Sequence, residues 1–181
     1  MKVTNTEIPE VLVLEPPVHQ DNRGFFLESY NRRTFKDATG LEIDFVQDNH
    51  AFSVRNVLRG LHYQIRQAQG KLVYVMTGEI FDVAVDLRRN SPTFGKWVGV
   101  TLTGAGHRMI WIPQGFAHGY LALSEHAIVF YKTTDYYAPQ HERTILWSDP
   151  GLGIRWPLGG EPMVSDKDRQ GVAFAAAEVF V

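Results

Sequence analysis

The side chain with the clearest capacity for chemistry in this chain is His62, which lies in a strand-like segment at 57–69. Arg59 precedes it by three residues, and Lys71 follows just beyond the segment. An imidazole titrates near neutral pH and can remove a proton from carbon when it is held within reach. The position two residues further on is Gln64 rather than a second histidine. The pattern therefore favours a general base inside a β-barrel over a metal site.

Each of these side chains also has an ordinary structural role. A strand histidine such as His62 is most often a hydrogen-bonded core residue, since a titratable group marks a functional site only in some proteins. Lys71 follows Gly70 at the start of a strand, where a solvated lysine is common. Tyr131 beside Lys132 is equally compatible with cross-strand aromatic packing. Residue types alone leave both interpretations open.

The composition limits the class of protein. With 181 residues, 44% of them hydrophobic, the chain can bury the core of a single domain spanning 1–181. A net charge of −2 gives no broad attraction for nucleic acid or an anionic membrane, so neither partner is expected. The absence of cysteine removes thiolate chemistry, and no segment has the length of a membrane span or a signal core. A cytoplasmic protein is expected.

Short apolar or alternating segments predict an all-β fold, a cupin-type jelly-roll barrel with few short helices. Turns rich in Gly, Pro, Asn and Asp separate them. One helix is predicted at 31–39, capped by Asn31 and ended by Gly40. From about residue 136 the chain is expected to wrap the barrel as irregular structure. The predicted strands are 11–14, 24–30, 45–52, 57–64, 71–77, 79–87, 97–102, 109–112, 116–123 and 128–134.

Two segments resemble the cupin superfamily. One is the run at 71–86, and the other is Pro113-Gln114-Gly115-Phe116-Ala117-His118, which matches the Pro-x-Gly-x-x-His pattern. Metal-binding cupins carry a His-x-His pair and a downstream Glu in the first motif. Here His62 and His118 alone fall short of the three or four ligands that zinc or iron requires. No bound metal is expected.

A closer resemblance, from about residue 11 to 168, is to the dTDP-4-dehydrorhamnose 3,5-epimerase family. It implies a homodimeric, cofactor-free enzyme that inverts C3 and C5 of a dTDP-4-keto-6-deoxyhexose on the route to dTDP-L-rhamnose. The matching segments are DNRGFF at 21–26, QDNH at 47–50, LRGLHYQ at 58–64, QGKLV at 69–73, FDVAVD at 81–86, SPTFG at 91–95, 111–119 and TDYYAP at 134–139.

The resemblance assigns roles to twelve residues. It makes His62 the base, Asp168 the carboxylate that orients it, Tyr131 the proton donor and Lys71 the cation near the substrate oxygen. These types suit the reaction, because a proton α to a ketone needs a base, an acid on the other face and support for an enolate oxygen. Assigned to substrate binding are Arg23, Glu28, Gln47, Asn49, Arg59, His118, Glu142 and Lys167.

Spacing adds two expectations. Arg59 and His62 would point to opposite faces of a regular strand, so both can reach one pocket only if the strand is irregular between them. Gly60 is the natural place for that irregularity, and a bulge or turn is predicted at 59–61. The strand at 11–14 is short enough to need a partner's sheet, which would favour a dimer.

Rival functions remain open at this point. They are an epimerase acting only at C3 or only at C5, a ketoisomerase, a non-catalytic sugar-nucleotide-binding cupin and a metal-dependent cupin enzyme. Tyr131 favours proton return from a protein acid, but it does not establish action at both carbons.

Overall fold

The computed structural model describes all 181 residues, and most of its regular secondary structure is β-strand. Two α-helices interrupt the strands, α1 (Arg32–Thr39) and α2 (Asp166–Arg169), and single 3₁₀ turns lie at Pro139–His141 and Phe174–Ala176. The strands are β1 (Lys2–Asn5), β2 (Leu12–Glu15), β3 (Val18–Asp21), β4 (Gly24–Leu27), β5 (Gln47–Val54), β6 (Leu58–Gln64), β7 (Lys71–Thr77), β8 (Glu79–Asp86), β9 (Trp97–Thr103), β10 (Met109–Ile112), β11 (Phe116–Ala122), β12 (His126–Thr133) and β13 (Glu142–Thr144).

The strands form two antiparallel sheets that pack as a jelly-roll-like β-sandwich. The six-stranded sheet has the order β1-β2-β10-β7-β12-β5, and the five-stranded sheet has the order β13-β6-β11-β8-β9. Strands β3 and β4 form a separate two-stranded hairpin. All ten predicted strands are present, and the prediction of an all-β jelly roll is confirmed.

The main core lies between the two sheets. Alternation along β8 places Ile80 and Ala84 in this core, while Val83 and Val85 belong to a second apolar cluster. That second cluster is completed by residues beyond β13, among them Leu152 and Val179. Full burial of each large aliphatic side chain stabilises the fold by about 1.5–3 kcal/mol. The chain after β13 therefore packs on the five-stranded sheet, with α2 as its one α-helix.

Helix α1 covers part of the outer face of the six-stranded sheet. The Asn31 side chain caps it by accepting hydrogen bonds from the backbone N–H groups of Arg33 and Thr34, and Gly40 ends it with a φ of 73°. Phe35 is its buried residue and packs edge-on against Trp111. The predicted helix is thus confirmed, and no helix in the chain is both long and apolar enough to cross a membrane.

Three strands of the structure were not predicted from the sequence, and the expectation that one strand pairs with a partner's sheet is wrong. Strands β1, β3 and β13 were not predicted; β3 is exposed along its whole length and so lacks apolar alternation. The strand expected to need a partner's sheet, now β2, pairs with β1 and β10 of its own chain. This part of the argument for a dimer therefore does not hold.

Candidate active site

Most of the predicted site residues line one cavity of about 400 Å³. Larger grooves of about 900, 760 and 620 Å³ lie elsewhere on the surface, and of these only the last is lined by a histidine, His107. The smaller cavity draws residues from both sheets, which places polar side chains from two facing walls around one space. Nine of the twelve predicted site residues line it: Gln47, Asn49, Arg59, His62, Lys71, His118, Tyr131, Glu142 and Lys167.

His62 is held by a buried carboxylate behind it. Its Nε2 lies 2.5 Å from Oδ1 of Asp168, whose side chain is 3% exposed. Burial opposes ionisation of Asp168, but the hydrogen bond and charge of His62, with further bonds from Gly60 and Ser165, hold its pKa below the usual value. An ionised carboxylate only accepts hydrogen bonds, so Nε2 carries the proton. Nδ1 is then the nitrogen with a free lone pair, which a general base requires.

Helix α2 positions this carboxylate. Ser165 caps the helix by accepting a hydrogen bond from the backbone N–H of Asp168. The backbone N–H of Gly60 also points at Asp168 Oδ2, at 3.4 Å. The short helix therefore brings a residue that is 106 positions away in sequence against His62.

Tyr131 faces the cavity from the opposite sheet. It lies on β12 of the six-stranded sheet and packs against the core between the sheets, whereas His62 lies on β6 of the five-stranded sheet. Burial, with smaller contributions from Tyr120 and Glu142, raises the pKa of the Tyr131 phenol. The phenol is therefore protonated at neutral pH and can donate a proton from the wall facing His62.

Lys71 supplies a buried positive group to the same cavity. The residue is 9% exposed at the start of β7. Burial lowers its pKa to about 8, while the negative charges of Asp82 and Glu142 act in the opposite direction. Near neutral pH its ammonium group is mostly charged, so it can stabilise an oxyanion in a site of low dielectric constant.

Glu142 and Lys167 form a pair at the wall of the cavity. Lys167 Nζ donates to Glu142 Oε1 at 2.8 Å, and the Tyr137 hydroxyl donates to Glu142 Oε2 at 3.0 Å. Burial opposes ionisation of Glu142, yet these two hydrogen bonds and the charge of Lys167 lower its pKa. The carboxylate is therefore anionic and already has partners before any ligand binds.

Arg59 reaches the cavity because β6 is irregular where the sequence predicts it. His118 of β11 lies opposite His62, and Tyr120 lies opposite Arg59. An interval of two residues on β11 therefore pairs with an interval of three residues on β6. Gly60 has a φ of 119°, and the Gly60–Leu61 peptide is cis. The predicted bulge is confirmed.

The two amides on β5 are linked to each other. Gln47 Nε2 donates to Asn49 Oδ1 at 2.9 Å, as expected for residues on one strand face. Gln47 Oε1 accepts a hydrogen bond from the backbone N–H of Tyr137. The amides therefore also fix the segment that carries Tyr137.

His118 has a carboxylate partner that sequence reasoning missed. Its Nε2 lies 2.8 Å from Oδ2 of Asp82, which is fully buried. An aspartate inside the apolar run at 80–85 was the available signal, because such a charge is rarely buried without a partner. Tyr137 was also missed, although it stands within the TDYYAP motif.

Arg23 and Glu28 do not lie at this cavity. Arg23 belongs to the turn of the β3–β4 hairpin, where its side chain is 86% exposed and pairs with Asp21. Glu28 accepts hydrogen bonds from Asn31 and Thr34 near the start of α1. Within one chain, therefore, neither residue lines the cavity that contains His62, and their contact with the substrate stays a prediction.

Gln64, which replaces the second cupin histidine, ties down a loop. Its Nε2 donates to the carbonyl oxygens of Gln67 and Tyr136, and its Oε1 accepts from the backbone N–H of Ala138. No group of three or more His, Cys, Asp or Glu side chains is arranged to hold a metal ion. Metal independence stays a prediction.

Comparison with known proteins identifies the family. The sequence model of dTDP-4-dehydrorhamnose 3,5-epimerase matches residues 5–176. A curated dTDP-4-dehydrorhamnose 3,5-epimerase of Pseudomonas aeruginosa is 62% identical over 180 residues, covering 99% of each chain. The chain belongs to the dTDP-4-dehydrorhamnose 3,5-epimerase family. A member from Shigella flexneri is 54% identical over 182 residues, the full length of both proteins.

Solved structures agree with this membership of the epimerase family. The chain is similar to dTDP-6-deoxy-D-glucose-3,5-epimerase from Legionella pneumophila Philadelphia 1, with a TM-score of 0.96 and 49% identity over 98% of this chain and 94% of that one. That enzyme was crystallised in complex with dTDP-4-keto-L-rhamnose. The protein is therefore an enzyme of the isomerase class, an epimerase of nucleotide sugars.

Proposed function

We propose that the protein inverts C3 and C5 of dTDP-4-dehydro-6-deoxyglucose and forms dTDP-4-dehydro-L-rhamnose for dTDP-L-rhamnose synthesis. The observation that carries the proposal is the facing pair formed by the His62–Asp168 dyad and Tyr131 across one cavity. Inversion at carbon requires proton removal on one face and proton delivery on the other. A base and an acid on opposite sheets meet that requirement.

The first step is proton abstraction. His62 Nδ1 takes the proton from a carbon next to the C4 ketone, and the electron pair of the C–H bond moves to form an enolate. The Asp168 carboxylate stabilises the imidazolium that results, as carboxylates do in other histidine dyads. Lys71 stabilises the negative charge that develops on the C4 oxygen.

The second step is reprotonation. The enolate collapses and takes the phenolic proton of Tyr131 on the face opposite His62, which inverts the configuration. The imidazolium then loses its proton to solvent and the phenolate regains one, so the pair is ready for the other carbon. The sequence of steps uses only acid–base groups of this chain and needs no oxidant or reductant.

The remaining pocket residues are assigned to the nucleotide part of the substrate. Arg59 already donates from Nε to Ser53 and from one terminal nitrogen to the Phe52 carbonyl, which orients its guanidinium and leaves other N–H groups for a diphosphate. The amide pair Gln47–Asn49 offers donors and acceptors to the sugar or base. The other proposed contacts are His118, Glu142 and Lys167.

We also infer a homodimer in which Arg23 and Glu28 complete the partner's cavity. The hairpin that carries Arg23 exposes Phe25 by 60% and Phe26 by 71%. These rings border an apolar depression of about 300 Å³ on the outer face of the six-stranded sheet, where Met76 is 57% exposed. A continuous exposed apolar surface of this kind is typical of an interface.

A cytoplasmic location remains a prediction.

Deuterium incorporation tests the proposed reaction. Incubation of dTDP-4-keto-6-deoxyglucose with the protein in D₂O should place deuterium at both C3 and C5 with inverted configuration, as measured by NMR. Label at one carbon alone would identify a mono-epimerase. No label would identify a non-catalytic sugar-nucleotide-binding protein, and loss of label with a chelator would indicate a metal-dependent enzyme.

A further inference from the structure

The interior of the sandwich contains a carboxylate that the proposed steps do not use. Asp82 lies on β8 between Ile80 and Ala84, on the face that points into the core between the sheets, and is 0% exposed. One oxygen, Oδ2, is 2.8 Å from His118 Nε2, but Oδ1 has no hydrogen-bond partner. A carboxylate in such surroundings is costly unless positive charge lies near it.

The positive group that lacks a tight partner nearby is Lys71. The other carboxylate that acts on it, Glu142, is already bonded to Lys167 and Tyr137. Asp82 is the larger of the two negative influences on Lys71. Asp82 is bonded to His118, and His118 lines the cavity together with Lys71, so the carboxylate oxygen without a partner and the unpaired ammonium belong to one region.

His118, the partner of Asp82, is arranged like the proposed base His62. His118 lies directly across from His62 in the β6–β11 pairing, and each ring is bonded through Nε2 to an aspartate. Because Asp82 accepts from Nε2, it fixes the orientation of the His118 ring. The neutral amide of an asparagine would not supply the same charge.

We propose that Asp82 is a positioning residue for the epimerisation: it orients His118 and provides the negative charge that keeps the buried Lys71 ammonium charged beside the substrate oxygen. The inference rests on the proposed function, since Lys71 is there the group that supports the enolate. Asp82 itself does not touch the substrate; it acts through the two side chains that line the cavity.

The pH dependence follows from the sign of these charges. Lys71 is useful as a cation, and burial lowers its pKa to about 8, so activity should fall as the pH rises through that value. The negative charge of Asp82 raises the pKa of Lys71. Without that charge, the loss of activity should occur at lower pH. The phenol of Tyr131 must also be protonated, but burial raises its pKa above that of an ordinary phenol, so it titrates at higher pH than Lys71.

Two other charged groups at the cavity also act on the pKa of Lys71. Glu142 on β13 raises the pKa of Lys71, and Lys167 on α2 lowers it. Their effects are the same in all variants of Asp82. The further titratable or charged groups around the cavity are His62 and Arg59 on β6, His118 and Tyr120 on β11, Tyr131 on β12 and Tyr137.

The test is the pH profile of kcat/KM, which reports the free enzyme, for the wild type and Asp82→Asn. The wild type should lose activity around pH 8, and Asp82→Asn should lose it about one pH unit lower, the size of shift that a nearby opposite charge produces. Asp82→Glu, which keeps the charge, should return the profile towards that of the wild type. If Asp82→Asn does not fold, Asp82→Ala serves as a second neutral variant with the same expectation.

Asp86→Asn is the matched control. Asp86 is also 0% exposed on β8, but it bonds to Arg88, Ser91 and Thr93 away from the cavity, so its loss should lower stability and leave the pH profile in place. A wild type without a fall near pH 8, or an Asp82→Asn profile that coincides with it, would overturn the inference about Asp82. Deuterium labelling of the substrate by the wild type would still uphold the reaction, so the two failures are distinguishable.

Discussion

At the scale of single residues, the proposed mechanism depends on two groups that line the cavity from facing sheets. His62 is oriented by Asp168, and Tyr131 is kept protonated by burial. A base alone can remove a proton and return it to the same face, which exchanges hydrogen without changing configuration. Inversion needs the acid opposite.

Replacement of Tyr131 by Phe separates these two events. Tyr131→Phe should still exchange substrate hydrogen for deuterium, while the rate of inversion should fall by about 10²–10⁴-fold, the usual contribution of a general acid. NMR in D₂O measures both label and configuration. Tyr63→Phe is the control. Tyr63 belongs to the apolar cluster on the side of the five-stranded sheet away from the cavity, and its hydroxyl donates to the Glu178 carbonyl oxygen. Inversion at the wild-type rate by Tyr131→Phe would remove it from the mechanism.

The residues of the site differ in how far sequence could reveal them. His62 was a candidate from its chemistry, since histidine titrates at working pH. Asp168 came only from family resemblance, because its contact with His62 depends on where α2 packs. Asp82 was missed, since an aspartate in an apolar strand does not indicate which ring or ammonium group it will face.

At the scale of elements, the bulge in β6 is the feature that places Arg59 and His62 at one cavity. A Cβ on Gly60 would lie 2.6 Å from Gly119 Cα and 2.7 Å from the His118 carbonyl oxygen. Both of these are backbone atoms, which cannot rotate away. The close approach of β6 and β11 therefore requires glycine at this position.

Gly60→Ala should destabilise the protein by about 3 kcal/mol, because the unfavourable φ and the backbone clash add together. It should also lower activity by displacing His62 and Arg59. Thermal or chemical unfolding measures the first effect. Gly159→Ala is the control, since nothing lies within 4 Å of its added Cβ. Equal stability of the two variants would show that the bulge tolerates a side chain.

Strand prediction worked where a strand carries several apolar residues, and β4, with Phe25 and Phe26, was predicted although it is largely exposed. Strands such as β7 and β8 carry enough apolar residues to be recognised. The hairpin strand β3 carries Val18, His19, Gln20 and Asp21, all exposed, so its structure depends on pairing with β4 and leaves no apolar pattern. The position of Arg23 away from the cavity follows from that hairpin and was not readable from its sequence.

At the scale of the whole molecule, one chain holds an incomplete set of the predicted substrate contacts. The cavity contains His62 but not Arg23 or Glu28. The hairpin that carries Arg23 also exposes Phe25 and Phe26, which is typical of a surface that packs against another molecule. A second copy that contributes Arg23 would resolve both observations.

Complementation tests this arrangement. Subunits carrying Arg23→Ala and His62→Asn should each form poorly active homodimers. A heterodimer of the two, purified through different affinity tags, should regain about half of the wild-type activity, because a twofold dimer then has one intact site. A heterodimer of Arg23→Ala with the double variant Arg23→Ala/His62→Asn is the control and should stay inactive. A mixed dimer no more active than its parents would contradict a shared site.

The most direct measurement is solvent deuterium incorporation by His62→Asn. If His62 is the base for both inversions, this variant should place no deuterium at C3 or C5 of dTDP-4-keto-6-deoxyglucose in D₂O, while the wild type labels both. Retention of the label at both carbons by a correctly folded His62→Asn protein would contradict the assignment of His62 as the base.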